Sequence, residues 1–344
     1  MSEKKVAVVI LSWNGIKFLE QFLPSVVKHT SLELCDIIVA DNQSSDGSVQ
    51  FIQQNYPQIS VIQNQRNGGY AGGYNDALKH VKAKYYVLLN QDVEVTPNWM
   101  EVIIDIMEAD DNIAAAQPKL RAYHDRSSFE YAGASGGYVD RFGYAFCRGR
   151  VFDTIEKDEG QYDDVADIFW ATGACLFVRS DVYHRAGGLD EDFFAHQEEI
   201  DLCWKINNLG YRIICVPASV IYHVGGGSLP QGNARKTYLN FRNNLMMMFK
   251  NLPLGALLIK MPFRLFLDWV AALYALLKNK NFIDTGAIIK AQFSFYGALP
   301  QLIKKRRLIP HPSSQHLSNV SVIWQYFANG KKTFTELSVT AQKN

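Results

Sequence analysis

The sequence predicts an α/β fold: a Rossmann-like, mostly parallel sheet flanked by helices, followed by a C-terminal amphipathic helical region. Three observations carry this. Short apolar runs alternate with amphipathic segments through the first hundred residues. Those runs are continuously apolar, as in strands covered on both faces. Beyond residue 245 the alternation gives way to long apolar helical stretches studded with Lys and Arg.

The elements follow in order. Strands are expected at 6–12, 36–40, 59–62 and 85–89, and helices at 16–28, 46–55 and 70–81, with Ser44 and Ser45 as caps for the second helix. From 113 to 225 the pattern is mixed, with strands at 174–178 and 213–216 around a helix at 197–209. Two units result, residues 1–245 and residues 246–344. The 344-residue chain is long enough for both, and a composition 48% hydrophobic and 20% charged excludes disorder. A net charge of +1 argues against a nucleic-acid binder.

Five widely spaced cysteines, Cys35, Cys147, Cys175, Cys203 and Cys215, suit buried free thiols in a reducing compartment better than disulfides or zinc. The apolar run at 6–11 ends in the turn Ser12-Trp13-Asn14-Gly15 without a small-residue cleavage site, so it reads as a strand rather than a signal peptide. No window of eighteen uncharged apolar residues occurs, which predicts a cytoplasmic protein without a membrane span.

In a parallel sheet, ligands sit at the carboxyl ends of the strands. Four such ends are polar here: Ser12 with Asn14, the run Asp41-Asn42-Gln43-Ser44-Ser45-Asp46-Gly47, Asn64 to Asn67-Gly68-Gly69, and Asn90-Gln91-Asp92. Together they describe one nucleotide-sized cleft. The first strand–helix turn has a single glycine and no P-loop motif occurs, which disfavours dinucleotide dehydrogenases and P-loop enzymes. The alternative is a nucleotide held by carboxylates and a divalent metal. Asp92 is placed to bind a hard cation that neutralises a diphosphate, and Asp41 to accept from the imide N–H of uracil or thymine.

These motifs, with Trp170-Ala171-Thr172-Gly173-Ala174, Gly187-Gly188-Leu189-Asp190-Glu191, Glu198-Glu199-Ile200-Asp201 and the run at 220–228, resemble family 2 glycosyltransferases of the rhamnosyltransferase-like branch. The resemblance covers most of residues 5–245. It implies a GT-A fold, a nucleotide-diphosphate sugar donor (dTDP- or UDP-linked), a divalent metal (Mn²⁺ or Mg²⁺) and inversion at the anomeric carbon. It assigns Ser12, Asn14, Asp41, Ser44, Asn67, Gly68, Gly69, Asn90 and Gln91 to the nucleotide, and Asp92 and His223 to the metal. Only the last carboxylate of the family's Asp-x-Asp motif is kept.

The same resemblance makes Glu199 the catalytic base, with Glu198 as its substitute; acids in a helix's first turn are also what the helix dipole favours. Trp170, Thr172, Gly173, Ala174, Asp190, Glu191 and Arg242 are candidates for the donor sugar, the acceptor or the diphosphate. Trp170 equally suits a core and Arg242 a solvated helix face. No Arg-Trp pair of the processive synthases occurs, so a single-sugar transfer in surface polysaccharide synthesis is expected. A catalytically idle nucleotide-sugar-binding or scaffold protein is the alternative.

The charge is segregated. Residues 1–244 carry 22 basic and 31 acidic side chains, whereas residues 245–310 carry 10 and 2. Lys260, Arg264 and Asp268 recur on one face of an apolar helix, and Lys304-Lys305-Arg306-Arg307 form a polybasic cluster. Such a region suits peripheral attachment to the anionic inner face of the cytoplasmic membrane and a lipid-linked glycan acceptor. A helical subdomain packed on the catalytic unit, or a homodimer contact, is the competing reading.

Overall fold

In a computed structural model the described residues are 4–225, 233–277, 280–311 and 317–339. The chain runs β1 (Val6–Ser12), α1 (Ile16–His29), β2 (Cys35–Asp41), α2 (Ser48–Asn55), β3 (Ser60–Gln63), α3 (Gly69–Leu78) and β4 (Tyr85–Asn90). It continues through β5 (Val93–Val95), α4 (Glu101–Ala109), β6 (Ile113–Ala122) and the short strands β7 (Gly137–Val139), β8 (Ala145–Cys147), β9 (Arg150–Val151) and β10 (Thr154–Ile155). Then follow β11 (Ala166–Asp167), β12 (Cys175–Arg179), α5 (Ser180–Arg185), α6 (Glu198–Asn208) and β13 (Arg212–His223). Three long helices close the chain: α7 (Ala234–Asn251), α8 (Leu254–Leu277) and α9 (Phe282–Arg306).

Successive side chains of a strand point to opposite faces, so a strand buried on both must be apolar throughout. In β1, Val6, Val8 and Ile10 enter one core with α1, α2 and α4, while Ala7 and Val9 enter the other with α3, α6 and α7. The main sheet has the order β11-β13-β6-β12-β4-β1-β2-β3, with β5 paired to β13. Strands β3, β2, β1 and β4 are mutually parallel; β12 is antiparallel to both β4 and β6, and β13 is parallel to β6. It follows that β1, β2, β3, β4, β6 and β13 all end at one edge, and β12 begins there. The edge that holds the polar loops after the first four strands therefore also receives His223 and the residues just before Cys175.

Strands β7 to β10 form a separate antiparallel sheet. Residues near the C-terminus return to it: Ser318 bridges Asp140, and Val322 and Leu337 pack with Phe146 and Val151. All five cysteines are buried and free. Helix α7 runs unbroken through residue 245, so the change in charge falls inside a helix and not at a linker.

Two local expectations are corrected. Ser44 and Ser45 do not cap α2; Gly47, in the left-handed region, precedes it, and the Asp46 carboxylate accepts from the Ser48 amide and from Ile16 N–H. The polar face of α8 is not its outer face. Arg264 and Asp268 are buried as an ion pair at 2.8 Å, on an inward stripe with Leu257, Met261 and Ala272. The outward residues are apolar.

Candidate active site

Each strand end contributes a fixed loop. Asn14 has a positive φ of 47°, its N–H donates to Ser44 Oγ at 2.9 Å, and its Oδ1 accepts the Ser45 N–H at 2.8 Å. The loops after β1 and β2 are thereby laced together. Asp41 is buried and accepts the Ser44 N–H through both oxygens, at 3.3 and 3.2 Å. Asn42 bonds to Asn67 Oδ1 and Gly69 O, while its own oxygen accepts from Asn64. This asparagine cluster ties the second strand end to the glycine turn opening α3. Gly15 is needed because the Gln91 side chain lies where a Cβ would stand.

Asp92 and His223 meet as the topology requires: Asp92 Oδ1 is 3.3 Å from His223 Nε2, and Glu130 Oε1 is 3.5 Å from His223 Nδ1. Burial disfavours the imidazolium, but Asp92 and Glu130 outweigh it and hold the His223 pKa up at about 10. Asn90 Nδ2 lies 3.4 Å from the same ring. Among the described residues, no three His, Cys, Asp or Glu groups form a complete metal cage. Asp92 nevertheless fits a divalent ion that takes its other oxygens from a diphosphate, and His223 joins it only by giving up the ring proton that Asp92 and Glu130 now hold in place. Ser12 Oγ and Gln91 Oε1, both at this edge, are buried and lack a hydrogen-bond partner among the described residues. Buried polar atoms are rarely left so, and a polar ligand would satisfy them.

The start of α6 is brought in by a strained approach. Phe194, His196 and Gln197 have positive φ of 63°, 71° and 73°. Asn243 of α7, fully buried, donates through Nδ2 to Phe193 O, Ala195 O and His196 O at 3.0, 2.9 and 2.8 Å. On the other side, Tyr70 N–H donates to Phe194 O at 3.0 Å, and Gly69 is packed so tightly on Phe194 that a Cβ would clash. The Tyr70 hydroxyl donates to Gly173 O at 2.6 Å, and a Cβ on Gly173 would lie 3.7 Å from Glu199 Cβ. Gly69, Gly173 and Glu199 thus belong to one wall. Burial pushes the Glu199 carboxyl up to about 7. Glu198 is raised further by burial and by Glu199 beside it, and its Oε2 has no partner among the described residues. Glu199 is the less buried of the two.

Several candidates lie elsewhere or are already committed. Asp190 does not line a groove: it is buried between Lys250 at 2.5 Å and Lys305, which also reaches Asp192 at 2.6 Å. Trp170 is core, packed on Gly137 with its indole N–H on Tyr138 O at 3.0 Å. The Thr172 hydroxyl donates to Ala132 O and accepts from Ala174 N–H, so it shapes the entry to β12. Ala174 O accepts from Asn90 N–H at 2.9 Å, joining that entry to the end of β4. Arg242 faces no open cleft; it donates to Asp192 O and Phe193 O at 2.8 and 3.2 Å. Glu191 remains exposed and pairs with Arg66 at 2.9 Å. The stretch 226–228 of the motif after β13 lies outside the described residues. The sequence reading gave no separate role to Asn42 and Asn64, although they stand in the quoted strand-end runs, nor to Asn243, because nothing marks which asparagines are buried. Glu130 and Lys250 carry no local signal; only the tertiary fold brings them to His223 and Asp201.

The carboxyl edge of this mixed sheet, with an acid and a histidine after β4 and β13 and two acids opening α6, is the arrangement expected of a GT-A fold. In agreement, the mannosyltransferase PcManGT from Pyrobaculum calidifontis, solved with GDP-Man and Mn²⁺, superposes with a TM-score of 0.52 over 86% of this chain and 88% of that one, at 14% identity. The model of Glycosyl transferase family 2 matches residues 7–159. The chain is 25% identical over 234 residues to the N-acetylglucosaminyl-diphospho-decaprenol L-rhamnosyltransferase of Mycobacterium tuberculosis (63% of this chain, 75% of the relative). It is 28% identical over 231 residues to the rhamnosyltransferase WbbL of Escherichia coli K12 (63% and 83%). Residues 7–159 thus match Glycosyl transferase family 2, and the chain is similar to rhamnosyltransferases over about two thirds of its length.

Proposed function

We propose that the protein transfers one sugar, with inversion, from a dTDP- or UDP-linked donor to a hydroxyl of a lipid-linked glycan at the inner face of the cytoplasmic membrane. A rhamnosyl donor is the first to test, since both relatives are named for rhamnosyl transfer and one for a diphospho-decaprenol acceptor. The single observation carrying this reading is the convergence of Asp41, Asp92, His223 and Glu199 on one sheet edge whose buried Ser12 and Gln91 oxygens lack partners among the described residues.

Asp41 accepts the imide N–H of the base, while the loops of Asn14, Ser44 and Asn67-Gly68-Gly69 enclose the nucleoside. Asp92, with His223 once its ring is neutral, would hold a divalent metal, which when bound would supply Lewis-acid neutralisation of the diphosphate leaving group. Glu199 takes the acceptor hydroxyl proton as the oxygen bonds to the anomeric carbon; the bond from that carbon to the diphosphate breaks on the opposite face. Gly173 leaves room beside Glu199 for the acceptor. The test is a thermal-shift screen of dTDP- and UDP-sugars with Mn²⁺, followed by turnover assays of wild type and Glu199→Gln. Donor binding with turnover lost only in the variant is expected; donor binding without wild-type turnover would mark an idle nucleotide-sugar binder.

A further inference from the structure

We infer that the outward face of α8 is a bilayer-inserting surface, seating the protein in the plane of an anionic membrane by apolar contact rather than by its polybasic cluster. This rests on the proposed reading only for the location of the acceptor. Along α8, Leu258, Phe263, Phe266, Trp269, Leu273 and Leu277 are each between 49% and 69% exposed. They recur at intervals of about one helical turn and so form one stripe. An exposed stripe of large apolar residues on a helix of this length marks an interaction site, not ordinary surface.

The inward face explains why the helix is turned this way. Arg264, paired with Asp268, also donates to Asn244 Oδ1 at 2.6 Å and to Phe142 O at 3.3 Å. These polar anchors fasten α8 along the domain. Among the described residues no helix is long and apolar enough to cross a membrane. A helix lying in the interface with its apolar side down satisfies both facts.

Charge selects a lipid surface over a second copy of the chain. Residues 245–310 contain only two acids. Asp268 is consumed by Arg264, and Asp284 accepts from the Thr237 hydroxyl and Asn281. Lys280, Lys290, Lys304 and Arg307 remain exposed on the same helical region. Two copies meeting there would bring these cations together with only Asp284 left as counter-charge, whereas anionic headgroups supply it throughout. The polybasic cluster itself is half spent: Lys305 pairs with Asp190 and Asp192, and Arg306 donates to Phe249 O.

Flotation of the full chain with vesicles decides the matter. Binding is expected with phosphatidylcholine–phosphatidylglycerol vesicles and should partly survive a high-salt wash, because apolar insertion is not screened. A Leu258→Ser, Phe266→Ser, Trp269→Ser variant should lose at least about tenfold in bound fraction with a nearly unchanged melting temperature, since the replaced groups are largely exposed. Brominated acyl chains should quench fluorescence in wild type and measurably less in Trp269→Phe. No flotation of wild type, or equal flotation of the triple variant, overturns the inference. So does a lipid-free dimer that the triple variant dissolves, which would assign the face to a second copy. Glu199→Gln should float like wild type, so a failure of the catalytic reading leaves this result intact.

Discussion

Replacing Asn243 by Ala tests whether α7 positions the catalytic base. The amide has two hydrogens and reaches three carbonyls, so one bond is shared. Its Oδ1 also accepts from Arg242 Nε at 2.8 Å. Truncation removes about two full bonds to buried carbonyls, each worth roughly 1–2 kcal/mol once the stranded acceptors are counted, for a loss of about 2–4 kcal/mol. The loop it holds contains three residues with positive φ, conformations costing on the order of 1–3 kcal/mol each. Released, that loop relaxes toward ordinary backbone and carries Glu199 with it. A shift of about 1 Å at a reacting group costs on the order of 100-fold in rate. The expected result is a lowered melting temperature together with a kcat reduced about 10- to 100-fold and a nearly unchanged KM for the donor, because Asp41 and Asp92 lie on other loops. Steady-state kinetics and a thermal melt measure both. A destabilised variant with normal kcat would refute the positioning role; a variant altered in neither would refute the hydrogen-bond argument itself.

Further outcomes follow from the same geometry. Because burial raises the Glu199 carboxyl to about 7, its basic form is lost as pH falls, so kcat/KM should decline through that pH and level off above it; a profile flat from pH 6 to pH 8 would contradict the assignment. Lys250→Met leaves Asp201 and Asp190 short of a counter-charge in a buried site and should cost about 3–5 kcal/mol, read as a lower urea midpoint. Burial opposes the Asp190 charge, yet Lys250 and Lys305 hold its carboxyl well below the usual range. Its contribution is therefore present above the unfolded pKa of about 3.9 and lost as pH falls below it, so urea midpoints should drop on acidification and the drop should shrink in Asp190→Asn. Chelation should abolish turnover and excess Mn²⁺ restore it, while Asp92→Asn should not be rescued by any Mn²⁺ concentration that serves wild type.

The sheet was legible because its strands are apolar on both faces: the 6–12 strand coincides with β1, and 85–89 falls one residue short of β4. The 213–216 strand proved only the first part of β13, which extends to His223. Its continuation past Val216 opens on Pro217-Ala218-Ser219 and carries a register shift, so periodicity alone did not join the halves. Strand-end acids were legible because topology alone sends them to one edge. What failed were residues whose role depends on a distant partner. Asp190 reads as a groove acid until Lys250 and Lys305 are seen against it, and Trp170 as a stacking platform until Gly137 is seen beneath it. The helical charges of α8 were found, but their direction was not, since Arg264 and Asp268 turn inward as a pair and leave the large apolar residues outside.

The ion cluster around Asp190 and Asp201 also sets an order of assembly. The base helix α6 is made early, yet Lys250 is synthesised 49 residues after Asp201, and Lys305 115 residues after Asp190. On the ribosome, Asp190 is without either of its lysines, and Asp201 has only Lys205 beside it, until α7 and then α9 have emerged. The segment leading into Glu199 therefore reaches its final packing only when the long helices have docked.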